Sequence, residues 1–184
     1  MNKKSEEKFE VVKSISQQNG NLCWTLDSPE STIKFGSTLT KNFPNLSILL
    51  LNGPIGAGKT TFVKGIAKSL GIEEPITSPT FPLAQHYPSG SPPLVHLDLY
   101  RLDKPSLADE FFIQEEEESR AMGAFMIVEW PERLSLFIED AWRGKLEYIP
   151  NKTGRSFQLT PPFLEDNNLL TSSRNGCDSI APIP

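Results

Sequence analysis

The sequence predicts a three-layer α/β fold built on a mixed, mostly parallel sheet. Short apolar runs over 46–51, 94–98 and 125–129 are predicted as buried strands, because they are too short for amphipathic helices and too apolar for surface strands. The first run leads directly into a glycine-rich loop, and the other two each end in a carboxylate. This is the arrangement expected where a ligand binds beyond the carboxyl ends of parallel strands.

The elements before the glycine-rich loop follow from local signals. Residues 1–20 are polar and charged and predict a short flexible lead, and a first strand is predicted over 22–26. Ser28 before Pro29 predicts a helix start, because a serine oxygen caps free amides and proline has no amide hydrogen to lose there. This helix is expected to end near Asn42.

The elements after the loop are predicted in the same way. Apolar residues recur with helical spacing over 59–70, and Gly71 stands where a left-handed C-cap is expected. A third, acidic helix is predicted over 104–120, in which the glutamates 115–118 are interpreted as a solvated face or loop. A late hairpin is predicted over 146–159.

The length of 184 residues fits one domain, which we predict over 21–159 between the flexible lead and a disordered tail over 160–184. The net charge of -5 gives no basic surface for a nucleic acid, so any contact with nucleic acid is expected only through a partner. A secretory signal and an apolar run of about 18 residues are both lacking, which predicts a soluble cytoplasmic protein without membrane contact. Cys23 and Cys177 lack metal-ligand spacing and are predicted as free thiols.

The glycine-rich segment matches the pattern G-x-x-x-x-G-K-[ST] at every defined position. Gly53, Gly56 and Gly58 allow backbone angles at which successive amides point at phosphate oxygens. Lys59 supplies charge for the terminal phosphates, and the Thr60 hydroxyl can join a magnesium shell. The alternative is a glycine turn with a surface lysine, but the flanking strand and helix favour a P-loop fold that binds ATP and Mg²⁺.

The strand-end carboxylates Asp98 and Glu129 are candidates for the chemistry of this site. One could organise the magnesium ion and the other could orient the attacking water, and the sequence does not say which. The alternative is an ordinary acid paired with a neighbouring base. His86 and His96 are interpreted as structural or surface residues, and Trp130 either as core or as a stacking surface.

Four motifs in this order resemble those of the TsaE family, the small ATPase of bacterial tRNA threonylcarbamoyladenosine synthesis. The motifs are GPIGAGKTTF at 53–62, TSPTF at 77–81, HLDLYRL at 96–102 and VEWPER at 128–133. The resemblance spans about residues 26–159. Thr77 stands where the family usually has lysine, and the segment 102–124 lacks the family's usual D-P-E-E-L-E-F-L-G pattern.

The resemblance implies roles for individual residues. It implies that Thr60 and Glu129 hold magnesium, that Asp98 is needed for hydrolysis together with Lys59 and Glu129, and that 78–80 form a switch-like loop. The nucleotide-binding residues that it implies are Gly53, Gly56, Ala57, Gly58, Lys59, Thr60, Thr61, Thr80 and Arg155.

The resemblance also implies ATP binding and hydrolysis in concert with the TsaB and TsaD proteins, with weak activity of the isolated chain. Two other classes of protein share the phosphate loop. A small-molecule kinase needs an acceptor pocket and a mobile lid that carries arginines, and the sequence shows no arginine-rich lid. A non-hydrolysing nucleotide-binding adaptor would use the nucleotide only to change conformation.

Overall fold

A computed structural model describes residues 16–18 and 21–162 of the chain. These residues form one eight-stranded sheet, three α-helices and a 3-10 turn at Pro131–Arg133. The strands are β1 (Ser16–Gln18), β2 (Asn21–Leu26), β3 (Ile48–Asn52), β4 (Ala84–Tyr87), β5 (Leu94–Asp98), β6 (Phe125–Glu129), β7 (Trp142–Tyr148) and β8 (Arg155–Thr160). The helices are α1 (Pro29–Asn42), α2 (Lys59–Ser69) and α3 (Pro105–Ala121).

The sheet is mixed, and its centre is parallel. The strand order is β1-β2-β8-β7-β3-β6-β5-β4. The four central strands β7, β3, β6 and β5 pair in parallel, whereas the pairings at both margins are antiparallel. Strand β2 points the same way as the central four, so five of the eight strands share one direction. The predicted mixed, mostly parallel sheet is therefore confirmed.

Helices α1 and α2 begin and end close to where local chemistry predicts. The hydroxyl of Ser28 accepts a hydrogen bond from the Ser31 amide (3.2 Å), and the Ser31 hydroxyl accepts one from the Ser28 amide (2.9 Å). This reciprocal capping fixes the start of α1. Helix α2 begins at Lys59 directly after Gly58, and Gly71 after its end has a φ of 78°.

The helices cover both faces of the sheet and complete three layers. Leu49 and Leu51 of β3 pack in one apolar cluster with Phe62 of α2, on the face that also carries α1. Leu50 packs in a second cluster with Phe112 of α3 on the opposite face. Strand β3 is therefore buried on both sides, which explains its continuous apolar sequence.

The predicted ends of the chain are only partly described. Residues 16–18 of the predicted flexible lead form the edge strand β1, paired with β2, and 160–162 of the predicted tail are also described. The rest of the lead and of the tail, including Cys177, lies outside the described residues, so flexibility there stays a prediction. Cys23 in β2 is a free thiol. None of the helices within 21–162 is long and apolar enough to cross a bilayer.

The glutamates 115–118 are not all solvated. They lie in the second half of α3, where Glu117 and Glu118 are exposed but Glu115 is buried. Glu115 Oε2 lies 2.6 Å from Nε2 of His86 on β4. Four successive helical residues span more than one turn of the helix, so one of them faces the sheet. The predicted solvated face is correct for Glu117 and Glu118 and wrong for Glu115.

Candidate nucleotide-binding site

A cleft of about 400 Å³ lies at the carboxyl ends of the parallel strands β3, β5 and β6. It is lined by residues of the loop between β3 and α2, by the start of α2 and by the strand ends Asp98 and Glu129. These two residues are register partners on neighbouring strands. The lining residues are Ile55, Gly56, Gly58, Lys59, Thr60, Thr61, Ser78, Thr80, Asp98, Tyr100, Glu129 and Trp130.

The loop after β3 turns at three glycines with positive φ. The angles are 154° at Gly53, 74° at Gly56 and 103° at Gly58, a region that residues with a Cβ rarely adopt. A Cβ at Gly53 would also lie 2.4 Å from the carbonyl oxygen of Leu146. No side chain caps the first amides of α2, so these donors are available to an anion held by the loop.

The ammonium group of Lys59 is folded into this loop. Its Nζ donates to the carbonyl oxygens of Gly53 (2.8 Å) and Pro54 (3.3 Å) and lies 4.2 Å from the centre of the Trp130 ring. Burial lowers the pKa of Lys59, and the nearby carboxylates, Glu129 foremost, oppose this shift. Within the described part of the chain, Lys59 is the one cationic side chain that lines the cleft.

Glu129 is held from two sides. Its Oε1 accepts a hydrogen bond from the Thr60 hydroxyl (3.2 Å) at the start of α2 and lies 2.9 Å from Nε2 of His96. The Glu129 side chain is 3% exposed, and that of His96 is fully buried. None of the hydrogen bonds among the described residues uses Oε2 of Glu129. One carboxylate oxygen therefore anchors the side chain, and the other is unengaged.

Asp98 is tied to the loop that precedes β4. Its Oδ2 accepts hydrogen bonds from the hydroxyls of Thr80 (2.5 Å) and Ser78 (3.0 Å), and its Oδ1 accepts one from the Tyr100 amide (3.0 Å). The two hydroxyls also lie 2.8 Å from each other. Asp98 thus couples this hydroxyl-bearing loop to the end of β5. Thr77 at the start of the loop bonds Gln85 and does not line the cleft.

The outer side of the phosphate loop is braced by the late hairpin. The Tyr148 hydroxyl donates to the carbonyl of Ile55 (2.8 Å), and Nε of Arg155 donates to the carbonyl of Ala57 (3.0 Å). The Arg155 guanidinium lies 4.3 Å from the centre of the Tyr148 ring. Arg155 therefore supports the loop from behind and, like Gly53 and Ala57, does not line the cleft.

The sequence predictions identify most of the lining residues but omit several partners. Tyr100 in the lining and Tyr148 behind the loop are not predicted, and His96 is predicted only as a structural or surface residue. The position of His96, two residues before Asp98 on one strand, is the signal that could have placed it on the same face. The predicted residues that line the cleft are Gly56, Gly58, Lys59, Thr60, Thr61, Ser78, Thr80, Asp98 and Glu129.

The oxygen donors at one corner of the cleft fit a magnesium ion. The Thr60 hydroxyl and the Glu129 carboxylate lie within 3.2 Å of each other, and the Asp98 carboxylate lies on the neighbouring strand. Mg²⁺ prefers hard oxygen ligands and usually takes one or two carboxylates plus phosphate oxygens. The unengaged Oε2 of Glu129 leaves such a ligand available.

Comparison with known proteins decides the family. The family model for the threonylcarbamoyl adenosine biosynthesis protein TsaE matches residues 26–156. The chain belongs to the TsaE family. The match runs from the end of β2 to the start of β8, so this TsaE family member carries the whole cleft within the matched region.

Relatives and a solved structure agree with this assignment. The tRNA threonylcarbamoyladenosine biosynthesis protein TsaE of a Nostoc species is 41% identical over 136 residues, which cover 74% of this chain and 83% of the relative. The protein of that name from Bacillus subtilis is 34% identical over 151 residues, covering 75% and 90%. A crystal structure of Bacillus subtilis YdiB matches with a TM-score of 0.58 and 28% identity, over 80% of this chain and 90% of that one. This TsaE family member thus has a P-loop fold of the nucleotide-binding type.

Proposed function

We propose that this chain binds ATP with Mg²⁺ and hydrolyses it as the ATPase component of tRNA threonylcarbamoyladenosine synthesis. The observation that carries the proposal is the convergence of Lys59, Thr60, Asp98 and Glu129 on one cleft beside the glycine loop. A cation, a metal-binding hydroxyl and two carboxylates are the groups that phosphoryl transfer to water requires. The relatives are named as tRNA threonylcarbamoyladenosine biosynthesis proteins, which supports this choice of modification.

Phosphate binding would use the loop amides, the open start of α2 and Lys59. In the free protein the Lys59 ammonium bonds two neutral carbonyls of its own loop. Its bonds to phosphate oxygens would be charge-assisted and stronger, so nucleotide binding favours release of the ammonium from Gly53 and Pro54. Gly56, Gly58 and Thr61 complete the loop wall of the cleft.

The two carboxylates would divide the remaining work. Thr60 and Glu129 would hold Mg²⁺, which when bound neutralises charge on the terminal phosphate oxygens. Asp98 would orient the attacking water and accept its proton. Its bonds to Ser78 and Thr80 link that role to the loop before β4, which would respond to the presence of the terminal phosphate.

Partners would complete the site. Of the five arginines among the described residues, none lines the cleft, so the cation that commonly stabilises charge at the γ-phosphate would have to come from elsewhere. We expect TsaB and TsaD to supply this help in the cytoplasm and to hold the tRNA, since the net charge of -5 does not favour direct tRNA binding.

Phosphate release measured with and without candidate acceptors tests this proposal against the other two classes. Release of phosphate from ATP that needs no acceptor supports the ATPase. Transfer to an added metabolite indicates a kinase, and binding without release in the full assembly indicates an adaptor. In cells, depletion of the chain is expected to lower threonylcarbamoyladenosine in total tRNA, and an unchanged nucleoside profile contradicts the assignment to this modification.

A further inference from the structure

His96 is a buried histidine with one bonded and one unbonded ring nitrogen. It lies in β5, opposite Ile127 of β6, and its side chain is fully buried. Its Nε2 lies 2.9 Å from Oε1 of Glu129. Its Nδ1 is buried and has no hydrogen-bond partner among the described residues. The proposed function uses Glu129 but gives His96 no part.

The unbonded nitrogen has an energetic consequence. A buried polar atom without a partner destabilises the folded state, and such atoms are rare enough in native proteins to need an explanation. An apolar side chain of similar volume would fill the same space without that cost. The feature that a histidine adds at position 96 is its hydrogen bond to Glu129.

The direction of this bond follows from the chemistry of its two ends. An ionised carboxylate only accepts hydrogen bonds, so Nε2 of His96 carries the hydrogen and donates it to Glu129. Both the His96 bond and the Thr60 bond end on Oε1 of Glu129. Two donors on one oxygen fix the rotation of the carboxylate and leave its other oxygen unengaged.

We infer that His96 is a positioning residue that presents Glu129 to the metal ion of the nucleotide. The inference rests on the proposed role of Glu129 as a metal ligand. Removal of such a supporting hydrogen bond typically weakens metal affinity by about 10- to 100-fold. His96 is not expected to touch the nucleotide, so its effect should appear only when the metal is present.

Calorimetry of ADP binding in magnesium chloride and in EDTA tests this inference with three variants. For His96→Leu we expect the magnesium-dependent gain in affinity to fall by about tenfold, while the affinity in EDTA stays within about twofold of wild type. His96→Gln should recover most of the gain, because its amide can donate from a position close to that of Nε2. His86→Gln changes the histidine that bonds Glu115 on the edge strand and is expected to behave as wild type.

The inference is overturned if His96→Leu keeps the full magnesium-dependent gain, or if it loses affinity equally with and without magnesium. If His96→Leu does not fold, the comparison of His96→Asn with His96→Gln tests the inference instead. The asparagine side chain is too short to reach Glu129, so only His96→Gln should retain the magnesium-dependent gain in affinity. Glu129→Ala in the same assay distinguishes failure of the metal role of Glu129 from failure of the positioning role of His96. If it keeps the gain, the proposed metal role of Glu129 fails. If it loses the gain while His96→Leu keeps it, only the role of His96 fails.

Discussion

Asp98 and Glu129 stand side by side as register partners at the ends of β5 and β6, yet they are held by different parts of the molecule. Glu129 bonds Thr60 at the start of α2, whereas Asp98 bonds the hydroxyls of Ser78 and Thr80 in a loop. The first carboxylate is thus fixed to the start of helix α2, and the second to the loop before β4. This difference supports the proposed division of roles, with metal binding at Glu129 and hydrolysis at Asp98.

Replacement of Glu129 is expected to affect binding only through magnesium. For Glu129→Ala we expect the affinity for ADP in magnesium to fall at least about tenfold, since a direct metal ligand is removed. The affinity in EDTA should change little. Glu132→Ala is the matched control, because Glu132 lies three residues away and bonds Asn52 rather than Thr60. Equal losses in magnesium and in EDTA for Glu129→Ala would argue against the metal role.

Replacement of Lys59 is expected to have opposite effects on binding and on stability. Lys59→Met should weaken ATP binding by about 10- to 100-fold, because the cation for the phosphates is lost. The same change removes a buried charge, so we expect the free protein to melt higher at neutral pH, by roughly 2–4 °C for a gain of about 1 kcal/mol.

The stability effect of Lys59 has a defined pH dependence. Burial lowers its folded-state pKa below the ordinary 10.5. At a pH between the lowered pKa of the folded state and the ordinary pKa of the unfolded state, the unfolded chain binds more protons than the folded one. The free energy of unfolding of the wild type therefore rises with pH in that range. The advantage of Lys59→Met should therefore shrink as the pH approaches 10.5. Thermal unfolding of both proteins across this pH range measures the difference in melting temperature. A lower melting temperature for Lys59→Met than for wild type at neutral pH would contradict a destabilising buried charge.

The central part of the fold was predictable from sequence because its signals are local. The apolar runs of β3, β5 and β6 and the cap at Ser28 each depend on a few neighbouring residues, and each appears in the structure. Strand β4 was not predictable, since Ala84–Tyr87 carries a glutamine and a histidine and is paired only with β5. The start of β7 at Trp142 was missed for a similar reason. Its pairing with β3 is parallel and nonlocal, and its polar residues give no apolar run.

The site was predictable where its residues share one motif or end parallel strands, and not where the late hairpin meets the glycine loop. The glycine loop, Lys59 and Thr60 are consecutive, and strand-end acids are placed by the geometry of parallel sheets. By contrast, Arg155 reaches Ala57 across 98 residues of sequence. The resemblance implied a nucleotide contact for Arg155, but no sequence signal shows which side of the loop a side chain from the hairpin will meet.

Arg155 is expected to act on the loop rather than on the phosphates. Loss of its bond to Ala57 in Arg155→Ala should cost about 1 kcal/mol, or roughly fivefold in affinity. The loss of affinity should be the same for ADP and for a non-hydrolysable ATP analogue. Tyr148→Phe removes the hydrogen bond to the Ile55 carbonyl. Its loss of affinity should also be equal for ADP and for the ATP analogue, and similar to or smaller than that of Arg155→Ala. A clearly larger loss for the triphosphate would instead indicate that Arg155 contacts the terminal phosphate.

The packing of α1 against α2 depends on a close approach at Gly65. A Cβ at this position would lie 2.1 Å from the carbonyl oxygen of Ile33. Gly65→Ala should therefore lower the free energy of unfolding by about 1–3 kcal/mol, although alanine favours the helix itself. Gly123→Asn is the control, because φ is 59° there and a Cβ would meet no atom within 4 Å. Urea denaturation showing Gly65→Ala as stable as wild type would mean that the helices lie farther apart.

The central claim is that hydrolysis occurs in this cleft at Asp98 and is completed by partner proteins. Phosphate release from ATP and Mg²⁺ by the chain alone, and with TsaB and TsaD of the same organism, tests it most directly when wild type and Asp98→Asn are compared. We expect slow release by the wild-type chain alone and a marked rise with the partners. Asp98→Asn should bind ATP almost normally, because the amide oxygen can still accept the Tyr100 amide bond, but should show no stimulated release. Fast wild-type release that is indifferent to the partners, or normal stimulated release by Asp98→Asn, would contradict the claim.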